Sequence, residues 1–267
     1  MSRRSRLAGP AQVGALPDER QRLILEHLRT HGRVIAADFA AAFAISEDSI
    51  RRDLRELAAQ GLCQRVYGGA LPLAASTPLK QRREEHAGRK LALARAAASL
   101  VRAGQVLLID AGSTNSALAS ALPEGLGLTV ITNAPDIAQR LMEREGFAIL
   151  LIGGRIDIHI GATVGAQALQ EVARVRADLC FPGACAVDPT HGLWGLDSEE
   201  SRLKRAMIEV STQTVILATD DKLSGAGTHR VAGIEQVHHL VVEASAPRPL
   251  CAAFKRRGVK VLRADPA

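Results

Sequence analysis

The strongest constraint on the fold is an alternation of apolar runs and helical segments that begins at Val106. The runs are VLLID, LTVIT, AILLIG, DLCFPG, TVILAT, HLVVE and VKVL. Each run is apolar almost throughout, which is typical of strands buried on both faces of a parallel sheet. The pattern predicts an α/β domain with a mainly parallel sheet over residues 104–267.

Composition excludes two classes of protein. No window of the sequence approaches the roughly 18 uncharged apolar residues of a membrane span. The basic start lacks the apolar core of about 7–15 residues that a signal peptide needs. We therefore expect a soluble, cytoplasmic protein with no membrane partner. The four cysteines form no CxxC pair, so we expect buried thiols rather than a zinc site or disulfides, and neither a metal nor a cofactor.

The first part of the chain has the pattern of three helices and a hairpin. Helical spacing of apolar residues occurs in DERQRLILEHLRTHG, in about Ala36 to Phe43, and after a tight turn up to about Gln60. The following LCQRVYGGAL predicts two short strands around Gly68 and Gly69. These elements indicate a winged helix-turn-helix domain over residues 17–72.

Residues 73–103 separate the two patterns. PLAASTPL, at residues 72–79, has the composition of a linker, and a long helical stretch from about Lys80 to Arg102 follows it. We therefore expect a linker and a connecting helix between the two domains.

The third helix is the part of the first domain that is expected to meet DNA. Ser46 is expected to cap it, and Ile50, Leu54 and Leu57 form one apolar stripe at about 100° per residue. Arg52 points away from that stripe, so the exposed side presents arginines and small polar groups, which suit phosphates and guanine edges. The candidate DNA-binding residues are Ser46, Ser49, Arg51, Arg52, Arg55, Arg65 and Tyr67.

A solvated helix face is the competing interpretation. The whole chain has a net charge of +6, but residues 18–72 contain eight arginines and eight acids, so those arginines could simply pair with neighbouring carboxylates. The preceding helix and the following wing favour DNA binding. Tyr67 is equally well explained as a packing residue.

The stretch IDAGSTNSALASALP supplies a second candidate site. A predicted strand ends at Asp110, and a loop of small residues leads from it into a helix. Glycine lets the backbone approach a ligand, while hydroxyls and the free amides of a helix N-terminus favour an anion. Neither the Walker pattern with its lysine nor GxGxxG occurs here, so a nucleotide is not expected.

Other predicted strand ends carry residues that suit a phosphate or a sugar. Ligands of open α/β sheets bind beyond the carboxyl ends of the strands. The candidate residues are Asp110, Gly112, Ser113, Thr114, Asn115, Asn133, Gly153, Gly154, Arg155, Glu199, Lys204 and Lys222. Lys204 is about equally well explained as a surface lysine of a helix, and Asp188 and His191 are better explained as turn residues.

Several of these motifs together resemble the deoxyribose-operon repressor (DeoR) family. IRRDL, AAQGL and VYGGA are similar to that family's DNA-binding module, and DAGSTN, TN, LLIGGR, GATVG and EESRLKRAM follow in the family's order, so the resemblance spans about residues 17–245. It implies a helix-turn-helix from about Val34 to Asp53. It also implies a C-terminal domain that is similar to sugar-phosphate isomerases and serves as a sensor of a phosphorylated sugar.

The resemblance implies a transcriptional regulator without catalytic residues. We expect a repressor of a sugar-metabolism operon that binds operator DNA as a homodimer or homotetramer and is released by a phosphorylated sugar. GACAVD at residues 183–188, DDKL at 220–223 and RIDIHI at 155–160 depart from the family's pattern, and these departures concern the sugar more than its phosphate.

Two other classes of function compete with this one. An isomerase-like enzyme carrying a DNA-binding domain would use Glu199 or Asp188 as its acid or base. A module for protein interaction alone would explain neither the arginine face nor the loop after Asp110.

Overall fold

The computed structural model describes residues 16–31, 33–60, 62–66, 68–71, 82, 84–223 and 227–266. The chain divides between Ser76 and Thr77 into two compact units. Tyr67 and the predicted linker at residues 72–79 lie outside the described residues.

The smaller unit contains three helices and a three-stranded antiparallel sheet. The helices are α1 (Pro17–His31), α2 (Ala36–Phe43) and α3 (Glu47–Ala59), and the strands are β1 (Val34–Ile35), β2 (Gln64–Val66) and β3 (Gly69–Leu71). The strand order is β1-β3-β2. The predicted helices and hairpin are confirmed, while β1, which is only two residues long, was not predicted.

Local chemistry explains how α3 begins and how the wing closes. The Ser46 hydroxyl accepts a hydrogen bond from the Ser49 amide at 3.2 Å and so caps the helix, as predicted. In the wing, a Cβ on Gly69 would lie 1.8 Å from the carbonyl oxygen of Val34. Only glycine therefore allows β3 to lie against β1.

The larger unit is built on a seven-stranded sheet in which every neighbouring pair is parallel. Its strands are β4 (Val106–Ile109), β5 (Leu128–Thr132), β6 (Phe147–Leu151), β9 (Ala177–Phe181), β12 (Ser211–Ala218), β14 (His239–Val242) and β15 (Lys260–Arg263). Their order is β15-β14-β12-β9-β4-β5-β6. All seven apolar runs are thus strands of the predicted parallel sheet.

Helices cover both faces of this sheet. They are α4 (Ala87–Ala98), α5 (Ser113–Ala121), α6 (Pro135–Met142), α7 (Ala166–Val172), α8 (Ser198–Glu209) and α9 (Arg248–Arg256). Leu107 and Ile109 belong to one apolar core, and Leu108, between them, belongs to another. Successive side chains of a strand point to opposite faces, so both faces are buried.

Two smaller sheets, which the sequence did not predict, lie beside the main one. The strands β7 (Arg155–Asp157) and β8 (Ala162–Val164) form a hairpin, and β10 (Ala186–Asp188), β11 (Gly192–Gly195) and β13 (His229–Ala232) form an antiparallel sheet. They are three to four residues long, too short for a clear periodicity.

The predicted connecting helix is interrupted in the described part of the chain. Arg82 and Glu84 are helical, residues 85 and 86 form a turn, and helix α4 then covers Ala87–Ala98 and ends before Arg102. His86, which precedes it, has a φ of 55°, a left-handed conformation that interrupts a right-handed helix. At its other end Leu100 turns back to bond the Ala97 carbonyl, and the helix stops.

Candidate functional site

The exposed face of α3 carries two arginines to which the described residues offer no carboxylate partner. Arg52 and Arg55 are exposed, and the described part of the chain offers no ion pair to either. Arg51 differs, because its guanidinium lies 3.0 Å from Glu47 and 3.5 Å from Asp48 of the same helix. The solvated-face interpretation therefore describes Arg51, while Arg52 and Arg55 remain open to an external anion.

The other candidate DNA-binding residues have mixed surroundings. Ser46 and Ser49 are joined to each other at the helix N-terminus, with 2.9 Å between their hydroxyl oxygens. Arg65 is exposed on β2. Tyr67 is not among the described residues. The two serines thus shape the start of the helix, and Arg65 extends its basic surface onto the wing.

A buried ion pair fixes α1 against α3. Arg20 donates from Nε to Asp53 Oδ2 at 2.5 Å and from Nη2 to Oδ1 at 3.0 Å. The Asp53 carboxylate holds the pKa of Arg20 above its usual value. Sequence reasoning missed this pair, although Asp53 lies three residues after Ile50 and four before Leu57, on the apolar stripe.

In the larger unit, polar groups converge on the carboxylate of Asp110. This side chain follows β4 and is 1% exposed. Its Oδ1 accepts from Asn133 Nδ2 at 3.0 Å, and its Oδ2 accepts from the Gly183 amide at 2.8 Å. A Cβ on Gly183 would lie 2.7 Å from the Ala111 carbonyl oxygen, so only glycine brings this amide so close.

Lys204 provides the cation of this cluster. It is 2% exposed, so it is not the surface lysine that the sequence equally allowed. Its Nζ lies 2.5 Å from Glu200 Oε1 and 3.7 Å from Asp110 Oδ2. Glu200 was missed by the sequence analysis, which named Glu199. Its spacing of four residues before Lys204 on one helix was the available signal.

Burial and charge act in opposite directions on this cluster. Burial alone would lower the pKa of Lys204, but Glu200, Cys185 and Asp110 outweigh it and raise that pKa. Burial raises the pKa of Asp110, and Lys204 offsets this only in part. Lys204 is therefore a permanent cation, whereas Asp110 is a carboxylate poised closer to protonation.

More cationic groups surround this cluster. Burial lowers the pKa of Lys222, Cys185 and Asp221 offset this in part, and the charges of Lys204 and Arg82 lower it further. Burial, followed by the charge of Lys222, lowers the pKa of Lys90 from 10.5 to about 8. The Arg82 Nε is buried without a hydrogen-bond partner among the described groups. Mutual repulsion between these groups would be relieved by an anion.

Lys90 and Arg82 were not among the predicted residues. The Lys90 Nζ donates to the carbonyl oxygens of Arg82 and Glu85, and the Glu85 distance is 2.7 Å. Lys90 thus holds the chain just before α4. Its only sequence signal was a lysine on a helix otherwise rich in alanine and leucine, at a position that is buried together with Leu93 and Ala97.

The loop after Asp110 has the form expected of an anion site. Gly112 is the N-cap of α5, with a φ of 146°, and Ser113, Thr114 and Asn115 form its first turn. The Thr114 hydroxyl is buried and has no partner among the described residues. Asn115 is different, because its Nδ2 donates to the Asp110 and Phe181 carbonyl oxygens and so holds the loop in place.

The remaining candidates lie on a separate part of the site. The Gly153 amide donates to Glu171 at 2.6 Å, so it is already engaged. Gly154 has a φ of 137°, and a Cβ there would lie 3.0 Å from the Val164 carbonyl oxygen. The exposed Arg155 pairs with Glu199 at 2.8 Å. The structure therefore unites Asp110, Asn115, Asn133 and Lys204, with Lys222 beside them.

Family comparison assigns both units. Residues 20–74 match the family model of the DeoR-like helix-turn-helix domain, and residues 85–244 match that of the DeoR C terminal sensor domain. The chain belongs to the DeoR family. The arginine face of α3 lies within the first match, and the cluster around Asp110 and Lys204 lies within the second.

Relatives in this family match over most of their length. The glycerol-3-phosphate regulon repressor of Escherichia coli is 32% identical over 231 residues, which cover 86% of this chain and 92% of the relative. The HTH-type transcriptional repressor GlcR of Bacillus subtilis is 28% identical over 252 residues, covering 92% and 95%. Among solved structures, ribose 5-phosphate isomerase A of Methanocaldococcus jannaschii is 19% identical, with a TM-score of 0.37, over 52% of this chain and 55% of that one.

The described residues of this DeoR-family chain offer neither a cluster of metal ligands nor a membrane-spanning helix. No group of three or more His, Cys, Asp or Glu side chains in the described ranges could hold a metal ion. Of the helices that the structure describes, none has the length and apolarity to cross a bilayer.

Proposed function

We propose that this protein represses a sugar-metabolism operon in the cytoplasm and leaves its operator when a phosphorylated sugar binds beside Asp110 and Lys204. The observation that carries the proposal is a buried lysine, Lys204, beside Asp110 at the carboxyl end of a parallel strand, with Lys222 nearby, in a chain that also has a helix-turn-helix unit. Both relatives described above are named as repressors, and one is named for glycerol-3-phosphate, a phosphate ester.

The operator is bound through the arginine face of α3. Arg52 and Arg55 project from the side opposite the buried stripe and are not neutralised by described carboxylates. We expect Arg52→Ala to weaken operator binding by about 1–3 kcal/mol if it contacts a base edge, with loss of sequence preference. If it contacts only phosphate, binding to all sequences should weaken alike.

A gel-shift titration at fixed salt measures the operator affinity of Arg52→Ala and of the wild type. Arg51→Ala is the matched control, because Arg51 already pairs with Glu47 and Asp48 and should contribute less. Unchanged operator affinity in folded Arg52→Ala protein would contradict the assignment of this face.

The effector is recognised through its phosphate. Burial lowers the pKa values of Lys222 and Lys90 and so disfavours their charged forms, which a phosphate dianion between them and Lys204 would favour. The first turn of α5 adds free amides and the Thr114 hydroxyl. The unphosphorylated sugar lacks this charge and should be a weak effector.

Release requires that the effector prefer the state that does not bind DNA. A tenfold drop in operator affinity corresponds to about 1.4 kcal/mol of coupling, and operator must weaken effector binding by the same factor. We expect Lys204→Met, where circular dichroism shows it to be folded, to bind operator normally and to remain bound when the phosphorylated sugar is added. Lys255→Met, an exposed lysine of α9, is the control and should respond as the wild type does.

Calorimetry with a panel of phosphorylated sugars separates binding from release. The site assignment is wrong if Lys204→Met binds the effector as tightly as the wild type does, or if the free sugar matches its phosphate ester.

The isomerase alternative lacks its nominated acid or base. Asp188 Oδ1 accepts the amides of Thr190 and His191 and so shapes a turn, and Glu199 is paired with Arg155 at the surface. We propose that the chain is not an enzyme. The check is an isomerase assay with each sugar phosphate that calorimetry shows to bind, in which turnover should be absent.

Specific operator binding is expected to require an oligomer. One winged module buries little surface on DNA, so useful specificity requires two modules on paired half-sites about 10–10.5 bp apart or a multiple of that spacing. We therefore propose a homodimer or homotetramer.

A further inference from the structure

The two edges of the seven-stranded sheet have opposite chemistry. At one edge, β15 carries Lys260 and Arg263, both exposed, at its two ends. At the other edge, β6 has the sequence FAILL and no charge at all. Charged side chains on an edge strand oppose pairing with another strand, whereas an uncharged apolar edge invites it. Only the β15 edge is protected in this way.

Strand β6 is exposed on both faces as well as along its edge. Leu150 and Leu151 point to opposite faces of the sheet, yet they are 46% and 44% exposed. In the described part of the chain, β6 pairs with β5 on one side and with no strand on the other. Its outer backbone amides and carbonyls therefore point away from the sheet without a strand partner.

Apolar exposure continues on both sides of β6 in the sequence. Met142 at the end of α6, and Ile156 and Ile158 after the strand, are 70%, 54% and 80% exposed. Nine large apolar side chains are exposed among the described residues, and five of them lie between positions 142 and 158. Such a concentration in a chain with a charged surface is typical of a protein interface.

We propose that β6 is the interface between two copies of this chain, with the two β6 strands antiparallel across a two-fold axis. A two-fold interface brings one surface patch against the same patch of the partner, so the patch must complement itself. An uncharged apolar strand does so, and strand addition supplies the missing backbone hydrogen bonds.

The charges that flank β6 select the antiparallel arrangement. Glu143 and Glu145 are exposed just before the strand, and Arg155 is exposed just after it. Parallel strands would place the acidic ends of the two copies together. Antiparallel strands place the acidic end of each copy beside Arg155 of the other. Arg155 uses Nη2 on Glu199 and keeps other N–H groups for a second acceptor.

This inference rests on the oligomer of the proposed function and adds its interface. The test measures mass, which depends on neither operator nor effector, so it can fail while repression stands. Light scattering of the full chain at micromolar concentration should give at least a dimer mass. The double variant L150K/L151K should halve that mass, because each copy brings two unpaired charges to the interface.

Leu91→Lys is the matched control, since Leu91 is an apolar side chain of α4 with 37% exposure, away from β6. It should keep the wild-type mass. A monomeric wild type, a double variant of unchanged mass, or a control that also loses mass would each overturn the proposal. Circular dichroism confirms that the variants are folded.

Disulfide cross-linking tests the arrangement without adding charge. In two antiparallel strands related by a two-fold axis, a residue lies opposite the same residue of the partner only if it is near the axis. Single cysteines at Ala148, Ile149 and Leu150, each in a C185S background, should cross-link under mild oxidation with a maximum at one position. Cross-linking at none of the three would overturn the antiparallel pairing, as would binding of a different protein's strand to β6 in place of the second copy.

Discussion

Two buried ion clusters, one in each unit, are built in opposite ways. Arg20 and Asp53 form a closed pair, in which two N–H groups meet two carboxylate oxygens. Around Lys204, one ammonium contacts Glu200 at 2.5 Å and Asp110 at the longer 3.7 Å, and two further lysines, Lys222 and Lys90, lie near enough to interact electrostatically.

The Arg20–Asp53 pair therefore supports the fold, whereas the cluster around Lys204 can respond to an added charge. In the closed pair each charge satisfies the other, so an incoming ion would gain little there. In the open cluster around Lys204, burial lowers the pKa values of Lys222 and Lys90, so their charged forms are disfavoured. A ligand with negative charge would favour those charged forms, and its binding free energy would then be available to shift a conformational equilibrium.

The largest effect is expected from breaking the closed pair. Asp53→Ala leaves the Arg20 guanidinium without its buried carboxylate, and the loss of one partner of such a pair costs about 3–5 kcal/mol. The free energy of unfolding of the smaller unit should fall by that amount, measured by hydrogen exchange of the α1 and α3 amides. Glu56→Ala is the control, because its exposed hydrogen bond to Gln21 joins the same two helices, and it should change stability by about 1 kcal/mol or less.

An intermediate effect is expected from titrating the open cluster. The pKa of Lys90 is about 8 in the folded chain, and an effector phosphate should raise it. Effector binding should therefore take up protons near pH 8, and affinity should fall about fivefold between pH 8 and 9. Calorimetry in buffers of different ionisation enthalpy measures the number of protons that are taken up when the effector binds.

The same lysine gives the opposite sign for stability. Its pKa is lower in the folded chain than the ordinary 10.5, so the folded state loses its proton first and gains stability as the pH rises from about 8 towards 10.5. Denaturant unfolding of the free protein should show this gain in the window where effector affinity falls. Lys90→Met should flatten the pH profiles of both effector affinity and stability. If the affinity profile of this variant is unchanged, Lys90 does not belong to the effector site.

The smallest effect is expected from Thr114, at the start of α5 after the Asp110 loop. Thr114→Val keeps the shape of the side chain and removes a buried hydroxyl that has no described partner. We expect effector affinity to fall by about 0.5–1.5 kcal/mol, whereas stability of the free protein should stay level or rise slightly. A matched loss in both quantities would show that Thr114 serves the fold and not the ligand.

Periodicity was sufficient to predict the parts of the fold that repeat. The seven strands of the large sheet and the stripe at Ile50, Leu54 and Leu57 are buried as predicted, because burial on one face or two leaves a regular trace in the sequence. Strands of two to four residues, such as β1 and β7, leave no such trace. The length of α4 was wrong because the left-handed conformation of His86 has no marker in the sequence.

The candidate effector site was predictable at the strand ends but not between them. Asp110 and Asn133 follow apolar strands, so they could be expected to meet at the carboxyl ends of those strands, and they are hydrogen-bonded. Lys90 reaches the site from a helix that precedes the sheet, and Glu200 lies one residue beyond the acid that was named. Their positions depend on how helices turn against the sheet, which spacing alone does not define.

The close approach of Gly183 to Asp110 has a consequence for how new specificities can arise in this chain. Any side chain at position 183 would push against the Ala111 carbonyl and the carboxylate itself, so that position is closed to variation. Two residues later, Cys185 is half-buried and close enough to Lys204 and Lys222 to act on both. If the effector binds as proposed, libraries that seek a new effector should hold position 183 constant and diversify position 185, where a neighbour of the proposed anion site can change while the contact of Gly183 with Asp110 is kept.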